Sequence, residues 1–396
     1  MSLFPAEEEP PPLRANPWGM RPLRRVRTLA IALVIGVGAV SPAAPAGGAG
    51  FTSPNVTYVK TVPFEAGAQT GARIVGKHLY VGGAKSFSIY DISTPEDPQL
   101  LSLTPIGVTF PMEDIDTNGK ILLIQDEQGS ARVQGGLLQI WDIEDKTAPV
   151  KIAEVSGVND HTFSCVLRCT YAYGSRGNIV DLHDPVNPKV VGNWGSFNPN
   201  DGFDVTEVAP GLVLTSTRVM YLLDARKNPR KPKVIAQGST HDNRLIHSNR
   251  WPNGGKDRFY LVQGETPISQ TCNEESGAFM TWDASKWKRT RSFSVIDEFR
   301  VANGTYTDGD PPAGVWGCTN MWFDDHPTFN NGGLVAAGFF EHGARFLKVS
   351  PTGQISQVGY FTPFGGETIA TYWATDDIVY AIDLHRGIDV LRFSSN

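Results

Sequence analysis

The chain has 396 residues, 40% hydrophobic and 10% aromatic, with 41 Gly, 28 Pro and a formal net charge of −6. That is too apolar and too aromatic for a disordered chain, and too rich in Gly and Pro for a helical bundle or coiled coil. The excess of 41 Asp and Glu over 35 Lys and Arg argues against a nucleic-acid binder, which would be expected to carry a net basic surface.

The first fifty residues read as a leader. Residues 1–20 are polar and Pro-rich; Arg21, Arg24, Arg25 and Arg27 follow, then twelve apolar or small residues from Leu29 to Val40, then Ala44-Pro45-Ala46. A basic region, a short apolar core and an A-x-A site predict a secretory signal peptide over 1–46, with Met20 as the expected start. Twelve residues rise about 18 Å as a helix, short of the ~30 Å hydrocarbon core, so a membrane anchor is disfavoured. No later stretch is apolar enough to span, so the mature chain is expected to carry no integral membrane span. Residues 1–46 hold five Arg and three Glu, which leaves 47–396 as 350 residues at −8.

Four cysteines in a secreted chain predict two disulfides. Cys165 and Cys169 flank three residues between two apolar runs, where a bridge would close a hairpin; Cys272 and Cys318 would pair across two long insertions. The C-x3-C spacing is not that of a zinc site.

Internal repetition is the strongest signal. Seven short β-rich runs recur, at Phe87–Asp91, Leu138–Asp142, Gly177–Asp181, Met220–Asp224, Phe279–Asp283, Arg345–Val349 and Ile388–Arg392. The first four run into an Asp/Pro-rich turn (DISTPEDP, DIEDKTAP, DLHDPVNP, DARKNPRKP) and then another strand-like run. Two further runs precede each. Four short strands per unit in seven units of about fifty residues predict an all-β, seven-bladed β-propeller over 47–396. The last unit lacks an outer strand, and an orphan strand, Val56–Thr61, opens the chain; the N-terminal strand is therefore expected to close the last blade and remove its open edge.

The stretches LYVGGAKSFSIYDISTPEDPQLL and LLQIWDIEDKTAPVKIAEV resemble the LVIVD-repeat β-propeller family of secreted and surface proteins. The resemblance covers nearly all of 47–396 and implies the fold rather than an activity. It weakens in the fifth and sixth units, where 264–278 and 284–316 read as insertions and the region 264–316 is expected to form a lid over the channel.

In a propeller the innermost strand of each blade lines the central channel, where ligand sites gather. Aligned inner-strand segments place Glu113, His161, Asp204, His247 and either Asp324 or His326 near the channel entrance. Mixed imidazole and carboxylate groups would suit Zn, Mn, Fe or Cu, with His161, His247 and His326 as ligands and Glu113 or Asp204 as ligand or general base. A distant similarity to methanethiol oxidase (selenium-binding) propellers points the same way, at the level of the fold alone. Against this, inner-strand His and Asp also serve to bond backbone in a wet channel. His78, His183 and His385 read as turn residues. Trp251, Trp282, Trp287, Trp316 and Trp322 read as aromatic core between blades or as the lining of a cleft. Asp308-Gly-Asp310 lacks the ligand spacing of a calcium loop, and no nucleophile elbow, zincin motif or phosphate-binding loop occurs. The sequence thus predicts a secreted, monomeric propeller that binds a small-molecule or protein ligand at the channel rim. The alternative is an extracytoplasmic metal-dependent oxidoreductase or hydrolase.

Overall fold

An Asp that ends a strand can turn the chain by accepting the backbone N–H two residues on, the Asx turn, and the repeat is built on that bond. Asp91 accepts from Ser93 at 2.7 Å, Asp142 from Glu144 at 2.9 Å, Asp181 from His183 at 3.0 Å, Asp224 from Arg226 at 3.1 Å and Asp283 from Ser285 at 2.8 Å. The residue after each Asp (Ile92, Ile143, Leu182, Ala225, Ala284) is buried and donates its N–H back to the turn between the first two strands of its blade. In the sixth unit Val349 stands at the position of the acid and the next residue, Ser350, makes the turn, its hydroxyl accepting from the N–H of Thr352 and of Gln354.

A computed structural model describes residues 50–64, 68–107, 111–126, 136–195, 202–242, 244–264, 277–301 and 322–395, with the backbone alone at 111–114. It is an all-β, seven-bladed propeller of antiparallel four-stranded sheets. From the inside out, blade 1 is Gln69–Val75, His78–Gly83, Ser86–Asp91 and Gln99–Pro105. Blade 2 is Pro111–Thr117, Ile121–Asp126, Leu137–Asp142 and Val150–Ser156, and blade 3 is Phe163–Val166, Tyr171–Gly174, Asn178–Asp181 and Lys189–Asn193. Blade 4 is Asp204–Ala209, Leu212–Ser216, Val219–Asp224 and Lys233–Ser239, and blade 5 is Ile246–Arg250, Phe259–Gly264, Ala278–Asp283 and Ser294–Phe299. Blade 6 is Phe323–Asp325, Gly333–Gly338, Ala344–Val349 and Ile355–Pro363. Blade 7 takes Thr368–Trp373, Ile378–Asp383 and Gly387–Phe393 from the C-terminal end and its outer strand, Val56–Pro63, from the N-terminal end. The ring is closed as the orphan strand predicts. A short strand the sequence did not disclose, Gly50–Thr52, adds a fifth strand to blade 6.

Every blade has a register shift between its third and outer strands, as at Ile89/Tyr90 in blade 1 and Tyr58/Lys60 in blade 7. Such bulges add twist to the outer edge. Hydrophobic side chains on the faces of neighbouring sheets meet in seven separate layers, one per blade boundary. Tyr80, Phe87 and Ile89 of blade 1 thus pack on Leu122, Ile124 and Trp141 of blade 2. Between blades 4 and 5, Trp251 and Trp282 pack with Tyr260 and Phe293, so these two indoles are core.

The reading of 264–316 as a lid is corrected within the described residues. Residues 278–283 and 294–299 are the third and outer strands of blade 5, joined through a short helix at Trp287–Thr290. The Asx turn at Asp283 survives there although the Pro has gone. Residues 265–276 and 302–321, with Cys272, Asp308, Asp310, Trp316 and Cys318, lie outside the described residues, as does the leader. No helix among the described residues is long and apolar enough to cross a membrane.

Candidate site in the central channel

The inner strands place a cavity of about 540 Å³ on the channel axis, with side chains from all seven blades in its wall. Its charged groups are largely compensated by one another. Arg250 reaches from blade 5 to both acids of blade 6, Nη2 to Asp324 at 3.0 Å and Nε to Asp325 at 2.9 Å. Arg73 Nε lies 3.5 Å from Asp116 of blade 2. Asp116 also accepts the backbone N–H of Cys165 in blade 3 at 2.8 Å, and Asp324 that of Trp373 in blade 7 at 2.9 Å. Glu207 of blade 4 accepts from Leu167 at 2.9 Å and from Gly211 at 2.7 Å. Tyr372 of blade 7 accepts the N–H of Ala72 in blade 1 at 3.1 Å. Inner-strand polar groups therefore tie one blade to the next, since a buried backbone group without a partner is costly.

Asp204 is buried, 1% exposed, and accepts from Thr206 Oγ1 at 3.1 Å and Thr162 Oγ1 at 3.4 Å. Burial pushes its carboxyl up to about 6, against the attraction of Arg73 and these bonds. Burial likewise pushes Asp324 up to about 6, against Arg250.

Towards the start of the inner strands, four rings from blades 3 to 6 form a belt. His161 lies 4.7 Å from Phe203, Phe203 5.3 Å from His247, and His247 5.1 Å edge-on from Trp322, centroid to centroid. The Arg73 guanidinium sits 5.7 Å from the Trp322 ring centre. The sequence therefore places His161 and His247 in one belt, but Phe203 stands between them. His326 is elsewhere: its Nδ1 meets Thr328 Oγ1 at 2.7 Å, its Nε2 the Asp376 carbonyl at 2.9 Å, and its ring packs edge-on against Trp373 at 4.6 Å. Both nitrogens are committed, Nδ1 within the blade 6 turn and Nε2 in a bond that ties the end of the blade 6 inner strand to blade 7. Among the described residues, no three His, Cys, Asp or Glu side chains are grouped to hold a metal. Glu113 lies on the blade 2 inner strand, with its side chain outside the described residues.

Strand pairing also corrects the sequence alignment. Asp204 pairs with Ser216 and Thr206 with Leu214, whereas Asp324 pairs with Ala336 one step beyond Phe323–Ala337. Asp324, Asp116 and Thr206 each bond a backbone group on the inner strand of the next blade. Arg73, Asp116, Asn249 and Arg250 are not marked by a fixed offset from the following strand, because register shifts at 69/71, 111/115 and 246/248 break that spacing.

Three buried polar atoms on the cavity-lining residues have no hydrogen-bond partner among the described residues: Ser164 Oγ, Asn249 Oδ1 and Trp322 Nε1. At the cavity wall the Cys165–Cys169 disulfide closes the predicted hairpin. Inside that loop Leu167, Arg168 and Cys169 are all left-handed, at φ of 53°, 59° and 61°.

No family model and no curated protein matches the chain, so the likeness to LVIVD repeats stands on the blade motifs alone. Solved structures do match. The crystal structure of RRP9 WD40 repeats superposes with a TM-score of 0.56 at 11% identity, covering 86% of this chain and 98% of that one. The computationally designed Ika8 protein superposes with a TM-score of 0.48 at 12% identity, covering 85% and 99%. The fold is a β-propeller of the kind WD40 repeats form. At these identities the likeness extends to the fold and no further.

Proposed function

We propose that this chain is a secreted propeller, of the kind its LVIVD-like blades resemble, that binds a small neutral polar ligand in its central channel. The observation that carries the reading is the polar cavity of about 540 Å³ on the channel axis, walled by all seven blades and with its charges largely paired. Apart from the exposed Arg168, the charged groups of the wall face opposite charges or backbone N–H groups, so a charged ligand placed among them would have to break existing pairs. A neutral compound with hydroxyl or amide groups suits a polar wall whose charges are already paired, and the Trp322 residue in that wall adds aromatic surface. Secretion rests on the basic, apolar and A-x-A pattern of residues 1–46.

A thermal-shift screen of neutral sugars, polyols and small amides against the full chain tests the ligand class. Binders are expected to lose about tenfold or more in affinity in Trp322→Phe and several-fold in Ser164→Ala, with folding intact. Binding unchanged by both substitutions, or a preference for charged compounds, sinks the channel reading. N-terminal sequencing of protein from the medium tests secretion, with Gly47 expected first; a cell-retained chain that keeps its leader overturns it.

A further inference from the structure

We propose that a groove on blade 5, beside the Asn331 turn of blade 6, is a docking site for a sulfated or otherwise anionic polysaccharide. The chain as a whole is acidic, yet a groove of about 700 Å³ in blade 5 is lined by Lys256, Arg258, Lys286, Lys288 and Arg289 around Trp287. All five cations are exposed, and none forms a salt bridge among the described residues. The acid in the groove wall, Asp257, is spent internally. Its Oδ1 takes the N–H of Phe259 at 2.9 Å; its Oδ2 takes that of Asn331 at 2.6 Å and Asn253 Nδ2 at 2.9 Å.

A second basic stretch lies on blade 4, where it packs against blade 3 through Pro229 and Arg230. The helix carrying Trp287 is tied to the outer strand of blade 4 by the Gln237 N–H to the Arg291 carbonyl at 3.1 Å, and by the Phe293 N–H to the Gln237 carbonyl at 3.1 Å. The turn leading into that strand, residues 226–233, holds five Lys or Arg and no acid. Of these five, two are paired, Arg226 with Asp224 and Arg230 with Asp181. Asp283 lies close enough to Arg258 and Lys286 to feel both, but one carboxylate does not balance the five cations of the groove, and such a concentration of positive charge on an acidic protein repels itself unless a polyanion takes it up.

The aromatic component selects among polyanions. Trp287 is half-buried, and the Lys288 ammonium already lies 5.8 Å from its ring centre. A nucleic-acid base would have to displace that ammonium in order to stack. A sulfated pyranose can set its C–H face along the indole and its anion on the same ammonium, so both contacts are kept. Lysines, as flexible point charges, also suit a sulfate whose position varies along a chain.

The test uses heparin as the probe and the full chain as the protein, with binding measured at about 50 mM and about 200 mM salt. Wild type is expected to bind, and to weaken about tenfold or more over that salt range. Lys286→Glu/Lys288→Glu/Arg289→Glu is expected to lose at least tenfold at low salt. Trp287→Ala should lose several-fold with an unchanged salt slope, and Lys348→Glu, on blade 6, should stay within about twofold. Should the triple reversal fail to fold, the milder Lys256→Gln/Lys288→Gln is expected to lose several-fold with an unchanged melting temperature. The proposal is overturned if heparin does not bind at low salt or if a folded groove variant binds like wild type. It is also overturned if single-stranded DNA or anionic vesicles of matched charge bind more tightly than heparin. None of these outcomes bears on the channel ligand, whose variants lie in other residues.

Discussion

Asp324 of blade 6 accepts the backbone N–H of Trp373 in blade 7 at 2.9 Å while Arg250 of blade 5 holds its other oxygen at 3.0 Å. One carboxylate thus joins three consecutive blades at the channel wall. Asp324→Ala would leave a buried N–H without an acceptor and Arg250 with Asp325 alone, at a cost of roughly 2–4 kcal/mol. Asp324→Asn keeps an acceptor for Trp373 and is expected to cost less. Urea unfolding of the two variants measures the order; equal losses would show that the bond to Trp373 contributes nothing.

The buried acids make stability fall as pH rises. Burial holds Asp204 and Asp324 at about 6 in the folded chain, and also Asp160 and Asp389. All four titrate near 3.8 when unfolded. Between these values the folded state binds more protons than the unfolded state, so each group's contribution declines from about pH 4 to about pH 6 and is constant above. Asp204→Asn removes one such contribution. Relative to wild type, the variant is expected to gain up to about 3 kcal/mol on going from pH 4 to pH 7.5. A stability difference that is flat across that range would contradict a raised Asp204.

Much of the ring was legible because its second, third and outer strands repeat a physical requirement. Leu138–Asp142 and Met220–Asp224 must bury alternate side chains against two neighbours and then turn on an Asp, and both demands are visible in sequence. The site was less legible. Inner strands carry register shifts toward the second strand, and one such as Ile246/Ser248 moves His247 out of step with Asp204. A pattern of recurring acids and histidines therefore mixed residues at different depths. Blade 5 misled in the opposite way, since loss of the Pro after Asp283 looked like loss of the turn although the Asp alone makes it. The strand Gly50–Thr52 pairs through backbone atoms to Thr362 and its neighbours, and three residues carry no pattern to read.

The three histidines are expected to divide by role. His326→Ala should lower stability by about 1–3 kcal/mol, because Thr328 and the Asp376 carbonyl lose a partner and Trp373 loses its edge-on neighbour. It should leave channel binding unchanged. His161→Ala/His247→Ala instead opens the aromatic belt on both sides of Phe203 and is expected to alter ligand affinity. Elemental analysis of protein purified without a metal-affinity tag is expected to give the same metal content for wild type and this double variant. Stoichiometric metal that the double variant loses would overturn the neutral-ligand reading in favour of a metal site.

The left-handed turn at the cavity wall provides the last prediction. A left-handed conformation costs a residue with a side chain roughly 1–2 kcal/mol, and Leu167, Arg168 and Cys169 adopt it in succession. Four bonds hold them there: the disulfide, the Leu167 N–H to Glu207, the Thr170 hydroxyl to the Leu167 carbonyl, and Asn118 Nδ2 to the Arg168 carbonyl at 3.1 Å. Arg168 is exposed, and its described bond uses the backbone alone. Arg168→Gly therefore removes the steric cost without removing that bond. Glycine's greater freedom in the unfolded chain offsets part of the gain, leaving a net stabilisation of up to about 1 kcal/mol. Arg168→Val, branched at Cβ, is expected to destabilise by a similar amount or more. If Val and Gly give equal melting temperatures, the loop is not left-handed at this position. Cys165→Ser/Cys169→Ser should sharpen the contrast, since the bonds from Glu207, Thr170 and Asn118 must then hold the turn without the disulfide.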